Sequence, residues 1–368
     1  MIRTIKLPFK LRVPALACGA DMKGAFAIAR GDKAYLEDGF GDLSDPDNLA
    51  RYGKAVVKLT GKLGVKPGVV ICDMHPGYLS TRFAEGFGAK VRRYMVQHHE
   101  AHVASAVIDS AIKGGVIGVA FDGTGFGSDG NIWGGEFFVG SPKYFKRSAH
   151  LEYVHMPGGD SAVREPWRMA ASHIFKAIGA DFSKNLREGD RALYLKTMID
   201  RNINSPLTSS AGRLFDAVGS MILGAREAAF EAQLPAELEK MAPDGYEEHY
   251  RFDLKEESGL YTIRVDGVIK GIVKDMTRGL ERRFLSGRFH NTMAQIISAT
   301  AEALRKRGAP RKVVLTGGVF QNRYLTSRAR ALLTRRGFRV YTHTNISATD
   351  AGIPVGQIAI ARARGICV

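Results

Sequence analysis

Two histidines four residues apart, His98 and His102 in the stretch QHHEAH, are the residues best suited to bind a metal. An i, i+4 spacing places both on one face of a helix, where their ring nitrogens can converge on one ion. Aspartates at strand ends could supply the remaining ligands. His99 is expected to pack against neighbouring residues or to support one of the ligand side chains, and not to bind the metal itself. Taken alone, such a pair is also typical of surface or helix-capping histidines, so a metal site depends on the other motifs.

A glycine-rich loop follows an apolar strand and begins with FDGTGFG at Phe121. Glycines permit a close approach of the backbone, so that exposed N–H groups can hold a phosphate or a similar anion. Asp122, at the end of the strand, could also reach a cation held by the two histidines. We therefore interpret Asp122–Gly127 as ligand-binding, and the pair Asp129–Gly130 as the turn of a β-hairpin.

A second glycine loop, LTGGVFQN at 315–322, joins a predicted strand to the start of a helix. This geometry would offer a helix N-terminus and bare backbone to a nucleotide. The loop matches neither a Walker A motif nor a GxGxxG motif, and tight strand–helix packing explains it equally well. Asp350, which precedes the last apolar helix, is either a helix cap or another metal ligand.

The elements that must position these loops alternate between strands and helices. Such alternation predicts an α/β protein with ligands at the carboxyl ends of its strands. The segment 25–38 is predicted to be a hairpin with its turn at Gly31-Asp32. Short apolar runs predict buried strands at 25–29, 68–72, 114–121 and 312–316, with helices at about 47–63, 98–113, 162–178, 210–223, 291–307 and 321–336.

The composition is that of an ordinary globular protein. Of the 368 residues, 45% are hydrophobic and 24% are charged, which excludes a fibrous or disordered chain. The three cysteines are far apart in sequence, which excludes a disulfide framework and a Cys-type zinc finger. No apolar run is long enough to cross a membrane, and no signal peptide is recognisable. A cytoplasmic location is therefore expected.

The chain carries a formal net charge of +16, and most of it falls in one segment. Residues 264–340 contain 18 Lys and Arg against four acidic residues, a net +14. Such a cluster could steer an anionic partner such as a nucleic acid. Solvated helix faces are the more ordinary explanation, and no aromatic residues interleave the charges as in single-strand binding proteins.

Seven stretches of the sequence together closely resemble the carboxy-terminal carbamoyltransferase domain of the HypF family of NiFe-hydrogenase maturation, a relative of the tRNA enzyme TsaD. The resemblance runs from about Ala15 to the C-terminus. It implies an actin/Hsp70-like ATPase (ASKHA) fold with two lobes and a nucleotide and metal site between them. The first lobe would comprise residues 1–115 and 345–368. The second lobe would comprise residues 116–344, with a helical insertion around 160–260. The stretches are DMHPGYLST (73–81), QHHEAH (97–102), GVAFDGTGFGSDGNIWGGEF (118–137), PGGDSAVREPWRMA (157–170), SSAGRLFDAVG (209–219), RFHNTMA (288–294) and LTGGVFQN (315–322).

The resemblance also implies individual site residues. Lys23 corresponds to a lysine near the family's first loop and is assigned a catalytic role. The sequence departs from the family at Glu100, where a histidine is usual, and at Ala232, where a glycine near the nucleotide is usual. The implied metal ligands are His98, His102, Asp122 and Asp350, which would bind iron or zinc in preference to magnesium. The implied nucleotide-binding residues are Gly123, Thr124, Gly125, Ser210, Gly212, Asp216, Glu231, Gly317, Gly318 and Asn322.

The implied reaction is the transfer of a carbamoyl group from carbamoyl-adenylate, made from ATP, to the C-terminal cysteine thiol of a HypE-type partner. The family's full-length enzyme has further domains, including a YrdC-like one, that this sequence does not match. We therefore expect a separate YrdC-like protein to supply the adenylate. The same chemistry on a small-molecule hydroxyl or on tRNA, and a non-catalytic nucleotide-binding relative, are the alternatives. A nucleic acid is the less favoured partner, and no membrane is expected. The chain's own Cys367 is treated as a coincidence.

Overall fold

The first of two sheets has four strands in the order β2-β1-β3-β4. The computed structural model describes residues 2–88, 91–179 and 189–367. β1 pairs antiparallel with β2 and parallel with β3, and β3 pairs parallel with β4. The strands are β1 (Ile2–Ala17), β2 (Phe26–Glu37), β3 (Val69–Asp73) and β4 (Arg92–Val96).

The predicted hairpin within residues 25–38 is wrong, because β2 is one continuous strand of 12 residues. Its partner is β1, which is 16 residues long and pairs with both halves of β2. Gly31, at φ +60°, lies opposite Leu11, where the register of the pairing shifts. The predicted turn is therefore an irregularity inside a long strand.

The second sheet has nine strands, seven of them in the order β10-β11-β7-β6-β5-β12-β13; β9 pairs with β6, and β8 pairs with β9. β5, β6 and β7 form an antiparallel meander, while β12 pairs parallel with β5. Gly130, at φ +82°, lies in the turn between β5 and β6, which confirms the predicted hairpin there. The strands are β5 (Val116–Phe126), β6 (Ile132–Ser141), β7 (Tyr144–Leu151), β8 (Val154–His155), β9 (Leu207–Thr208), β10 (Asp253–Glu257), β11 (Leu260–Arg264), β12 (Lys312–Thr316) and β13 (Arg339–Tyr341).

Twelve helices are present among the described residues, and none of them is long and apolar enough to cross a bilayer. Their bounds match most of the predicted helical stretches to within a few residues. They are α1 (Pro46–Leu63), α2 (Leu79–Glu85), α3 (His98–Asp109), α4 (Ser161–Arg164), α5 (Trp167–Ala177), α6 (Gly189–Asp200), α7 (Ala211–Leu223), α8 (Gln233–Met241), α9 (Asp266–Thr277), α10 (Arg282–Lys306), α11 (Arg323–Arg335) and α12 (Ile353–Ala363).

The helix pair α3 and α12 shares one hydrophobic core with both sheets. Val103 and Val107 of α3 and Ile358 of α12 are buried there together with Ile71 of β3 and Val314 of β12. Burial of this many apolar side chains is the main force that holds α3 in place. The start of α3, where the two histidines lie, is thereby fixed relative to the ends of β5 and β12.

A second core lies between the nine-stranded sheet and the helices α7 and α10. Phe121 and Phe137 of the sheet meet Phe215 of α7 and Phe289 of α10, all of them almost completely buried. The range 160–260 holds α4 to α8 and also β10, an edge strand of this sheet, while residues 180–188 lie outside the described residues. The predicted lobe boundaries and insertion stay a prediction.

Candidate metal and nucleotide site

Four buried side chains from three distant parts of the chain meet at one point. His98 and His102 come from the first turns of α3, and Asp122 from β5. Asp350 lies in a short 3-10 turn just before α12. One ligand atom from each lies within 4.8 Å of all the others. The structure therefore brings together all four residues that the sequence predicted as metal ligands.

The distances within this cluster suit an ion better than they suit direct hydrogen bonds. The Nε2 atom of His98 is 3.5 Å from Asp122 and 3.6 Å from Asp350. For His102 the corresponding distances are 3.5 and 3.3 Å. Both Nε2 atoms are buried and have no hydrogen-bond partner among the described residues. Since buried polar atoms in proteins are nearly always satisfied, two orphaned nitrogens aimed at two carboxylates fit a metal ion with mixed nitrogen and oxygen ligands.

The electrostatics of the cluster favour ionised carboxylates. Burial opposes the charged form of Asp122, yet the His102 and His98 imidazoles hold its pKa well below the usual range. Burial and Asp122 both oppose ionisation of Asp350, but the same imidazoles lower its pKa to about 2. The two carboxylates are therefore ionised opposite the two imidazoles, and a divalent cation could bind in place of the protons that the imidazoles hold.

Asp73, at the end of β3, supports one of the imidazoles. Its Oδ2 atom is 2.8 Å from Nδ1 of His98, and both side chains are completely buried. Its other oxygen accepts the backbone N–H of His75 at 2.9 Å. Because Nδ1 of His98 donates to this carboxylate, its Nε2 is left as the atom that binds a metal. No role for Asp73 was predictable from the sequence beyond its strand-end position in the stretch DMHPG.

His99 and Glu100, which follow His98 on α3, contact side chains outside the cluster. His99 lies outside the cluster, with its ring 6.2 Å from the ring of Trp133, which agrees with the expected packing role. Burial holds the pKa of His99 well below its ordinary value, so its ring is neutral. Glu100 forms an ion pair with Arg364 at 2.5 Å. The replacement of the family's usual histidine by Glu100 therefore leaves the four ligands intact.

A cavity of about 410 Å³ adjoins the cluster and shares Asp122 and Asp350 with it. Its volume lies within the range of about 300–1,000 Å³ that is typical of small-molecule sites. Predicted site residues make up much of its wall, namely Lys23, Gly123, Thr124, Gly212, Asp216, Glu231, Gly318 and Asn322.

Three predicted nucleotide residues shape the cavity's backbone and are not among its lining residues. Ser210 caps α7 by accepting the N–H of Arg213, and it donates to the Gly123 carbonyl. Gly317 has φ +99°, and a Cβ atom there would lie 2.2 Å from the Phe121 carbonyl oxygen. The backbone of Gly125 packs against the His98 ring, since a Cβ atom at Gly125 would lie 2.6 Å from Cδ2 of that ring. Direct contact of these three with a nucleotide stays a prediction.

Two backbone segments at the cavity can present N–H groups to an anion. The first is the N-terminus of α7, whose Gly212 lies so near Gly123 that a Cβ atom would be 2.8 Å from its Cα. The second is the 3-10 turn that starts at Gly318, whose N–H donates to Oδ1 of Asp122 at 2.9 Å. This hydrogen bond joins the second glycine loop to a metal ligand. Helix N-termini of this kind favour phosphate groups.

Acidic side chains outnumber basic ones in the cavity wall. Lys23 pairs with Glu231 at 3.3 Å, and Arg213 pairs with Asp216 at 3.1 Å. Burial raises the pKa of Asp216 to about 6, although Arg213 opposes this shift. An anionic nucleotide would therefore meet repulsion unless a cation compensated the excess. The lining acids are Asp122, Asp216, Glu231, Glu239 and Asp350, and the lining bases are Lys23 and Arg213.

Ala232 adopts a left-handed backbone conformation at the cavity. Its φ is +61°, and it precedes α8 as the N-cap residue. A non-glycine residue in this conformation costs about 1–2 kcal/mol. This explains physically why a glycine suits the position.

The fold and the cluster define the class of the protein, a Kae1-like carbamoyltransferase domain. Residues 10–109 match the family model described as the HypF Kae1-like domain. Residues 118–357 match the model described as the carbamoyltransferase Kae1-like domain, second subdomain. The chain belongs to the HypF carbamoyltransferase family. The resemblance drawn from the sequence, its ASKHA-type α/β fold and the enzyme class are thereby confirmed.

Similar proteins cover nearly the whole chain. It is 35% identical over 367 residues to the carbamoyltransferase HypF homolog of Cupriavidus necator, which covers 95% of this chain and 91% of that protein. It is 34% identical to carbamoyltransferase HypF of Rhizobium leguminosarum bv. viciae, with 94% and 45% covered. The chain thus spans nearly all of one relative and about half of the other.

A solved structure of full-length HypF in a phosphate- and nucleotide-bound form has the same fold. Its TM-score is 0.92 at 37% sequence identity, and the match covers 97% of this chain and 47% of the other. A second structure, of T. kodakarensis HypF, matches with a TM-score of 0.84 at 27% identity, over 98% of this chain and 49% of that one.

Proposed function

We propose that this chain transfers a carbamoyl group from carbamoyl-adenylate to the C-terminal cysteine thiol of a HypE-type protein in NiFe-hydrogenase maturation. One observation carries the proposal: a buried cluster of two histidines and two aspartates shares both carboxylates with a nucleotide-sized cavity. Such an arrangement suits a reaction in which negative charge develops next to a bound phosphate.

In this proposal the cavity wall holds the adenylate. The N–H groups at the start of α7 face the phosphate, and Lys23 adds a positive charge once it leaves Glu231. Asp216 and Glu231 would accept hydrogen bonds from the ribose hydroxyls, since carboxylates are strong acceptors. Fixing the adenylate in this way lowers the entropic part of the barrier to transfer.

The metal in this proposal is held by His98, His102, Asp122 and Asp350. Mixed imidazole and carboxylate ligands suit iron or zinc better than magnesium, which prefers an all-oxygen shell. When bound, such an ion stabilises negative charge on phosphate or carbamoyl oxygens. Asp73 keeps the His98 ring oriented through their 2.8 Å hydrogen bond.

The transfer step replaces one bond to the carbamoyl carbon with another. The acceptor sulfur attacks that carbon, and a carbon–sulfur bond forms while the carbon–oxygen bond to the phosphate breaks. AMP leaves with the electron pair of the broken bond, and the thiol proton passes to solvent. A cysteine thiol is already partly ionised near neutral pH, so this acceptor needs less help from a base than a hydroxyl does.

Ion pairs lower the positive charge that the segment 264–340 could offer to tRNA, one of the alternative acceptors. Several arginines of the segment 264–340 pair with acids that lie outside it, so the surface charge is lower than +14. Salt-dependent nucleic-acid binding needs cations that are free to meet phosphates. These pairs are Arg264–Glu152, Arg288–Glu248, Arg307–Glu256 and Arg328–Glu247.

A reconstituted transfer assay tests this function. The chain is incubated with ATP, radiolabelled carbamate, a YrdC-like adenylate-forming protein and a HypE-type acceptor. We expect label on the acceptor's terminal cysteine, none on a Cys→Ser acceptor, and loss of label with His102→Ala. His249→Ala, a change at an exposed histidine, is the matched control. Label transfer that survives His102→Ala, or none with the wild-type chain, contradicts the proposal. Label on tRNA or on a hydroxyl compound would identify one of the other acceptors.

A further inference from the structure

His290 is a buried histidine that the proposed chemistry does not use. It lies in the middle of α10, within the stretch RFHNTMA, and is completely buried. Its Nδ1 atom is 2.9 Å from the backbone carbonyl oxygen of Ser286. Because a carbonyl oxygen can only accept, Nδ1 carries the proton in the neutral ring. Its other nitrogen, Nε2, is therefore a hydrogen-bond acceptor.

That acceptor faces the side-chain amide of Asn322, at a distance of 2.8 Å between Nε2 and Nδ2. The amide oxygen of Asn322 accepts the N–H of Leu325 at 2.8 Å and so caps α11. These two contacts determine which way the amide points. If it flipped, its oxygen would meet the lone pair of His290, and its NH₂ would meet the N–H of Leu325.

Asn322 is only 8% exposed, and it lines the nucleotide cavity. Its NH₂ group has two hydrogens, and His290 accepts one of them. The second hydrogen is left for an acceptor in the cavity. A nucleotide offers such acceptors on its phosphate, ribose and base.

The surroundings of His290 keep its ring neutral and in place. Aromatic rings of Phe215, Phe289 and Tyr324 pack against it, with their centroids 5.3–6.1 Å from the centroid of the imidazole. Burial lowers the pKa of His290 to about 4. A protonated ring would present donors on both sides and would oppose the NH₂ group of Asn322.

We propose that His290 is a positioning residue that holds the amide of Asn322 as a hydrogen-bond donor to the bound nucleotide. The inference rests on the proposed nucleotide site. His290 itself does not touch the nucleotide, so its effect must pass entirely through Asn322. This sets it apart from a histidine that only fills the core.

A double-mutant cycle tests the proposal. AMP binding is titrated calorimetrically to the metal-loaded full chain as wild type, His290→Phe, Asn322→Ala and the double variant. Loss of one neutral hydrogen bond weakens binding about threefold to tenfold. We expect each single change to have an effect of this size and the double variant to lose no more than Asn322→Ala alone. His290→Gln, whose amide oxygen can also accept, should restore most of the affinity at an unchanged melting temperature.

Three results would overturn the inference. In the first, His290→Phe folds and binds AMP as tightly as the wild type. In the second, the losses of the two single variants multiply in the double variant. In the third, the wild type binds no AMP, which would overturn the proposed function as well. The first two leave the proposed function standing.

A measurement on the unmutated protein covers the case in which His290→Phe does not fold. With ¹⁵N-labelled asparagine, the side-chain NH₂ resonances of Asn322 are followed by NMR while AMP is added. We expect one hydrogen to stay bonded to His290 and the other to shift on binding. If neither resonance of Asn322 responds to bound AMP, the inference is wrong.

Discussion

Replacing Asp73 by asparagine should weaken metal binding without disturbing the fold. Asp73 donates no ligand to the cluster, and its whole contact with the site is the 2.8 Å hydrogen bond to Nδ1 of His98. Asparagine has nearly the same shape, but its single amide oxygen can accept either from Nδ1 of His98 or from the N–H of His75, and not from both. What is lost is the negative charge that makes the imidazole a better metal ligand, together with one of these two hydrogen bonds.

The magnitude follows from the geometry of this contact. Both side chains are completely buried, so solvent does not screen the interaction. Loss of such a supporting carboxylate costs roughly 10–100-fold in metal affinity, or about 1.4–2.7 kcal/mol. The losses for His102→Ala or Asp350→Asn should be larger, because each of these changes removes a ligand.

The assay is competition for zinc between the chain and a chelator at one fixed pH, with metal content checked by elemental analysis. Asp275→Asn is the control, because it also removes a buried carboxylate, one that pairs with Arg288 away from the cluster. Asp275→Asn should bind zinc as the wild type does. If Asp73→Asn bound zinc with unchanged affinity while Asp350→Asn lost it, the assigned role of Asp73 would be refuted.

Three further changes have expected outcomes. Ala232→Gly should raise the free energy of unfolding by about 1 kcal/mol in a denaturant titration, because it relieves the positive φ. His173→Leu should make stability less sensitive to acid. Burial lowers the pKa of His173 to about 3, whereas histidine in an unfolded chain titrates near its ordinary value of about 6.5. Below pH 6.5 the unfolded state gains a proton that the folded state excludes, so the free energy of unfolding falls by about 2 kcal/mol at pH 5. Lys23→Met should weaken ATP binding about tenfold or more in calorimetry, because a charged contact to phosphate is lost.

Each of these changes has a matched control. Ala242→Gly, at φ −63°, should lower stability, and equal effects at the two alanines would contradict the strain at Ala232. His249→Ala, at an exposed histidine, should leave the acid sensitivity unchanged. If His173→Leu lost stability below pH 6.5 as steeply as the wild type, His173 would not be the group that titrates. Lys66→Met, at an exposed lysine, should bind ATP normally, and an equal loss there would indicate a general charge effect.

The four residues of the candidate metal cluster were predictable because each lies in a local pattern that the family resemblance explains. His98 and His102 share a helix face, while Asp122 and Asp350 each lie next to a glycine-containing turn. The support from Asp73 was not predictable, because it joins side chains 25 residues apart through a hydrogen bond that no spacing reveals. The link between His290 and Asn322, 32 residues apart, was hidden for the same reason.

The first strand was missed because of its prolines. Pro8 and Pro14 interrupt the apolar runs of β1, and proline cannot donate to a strand ladder. In the structure the pairing with β2 shifts register between Lys6 and Leu11 and again before Ala15, so that the prolines fall at or next to irregular positions. Without β1, β2 had no visible partner, and the turn-like pair Gly31-Asp32 suggested a local hairpin instead.

Roles within the glycine loops could be predicted only in part. Gly318 lines the cavity, whereas the adjacent Gly317 is required by the close approach of the Phe121 carbonyl. Ser210 caps α7 and is not among the residues that line the cavity, although its motif resembles a nucleotide-binding one. A sequence motif indicates that a loop must keep its shape, but it does not indicate which atoms of the loop face the ligand.

The most direct test of the central claim measures metal and nucleotide on the same samples. Metal content by elemental analysis and calorimetric titration with ATP and AMP would be run on the wild type and on His102→Ala. We expect stoichiometric metal and nucleotide binding in the wild type, with the metal lost in His102→Ala and nucleotide binding weakened with it. A wild-type chain that holds neither metal nor nucleotide would contradict the proposed function.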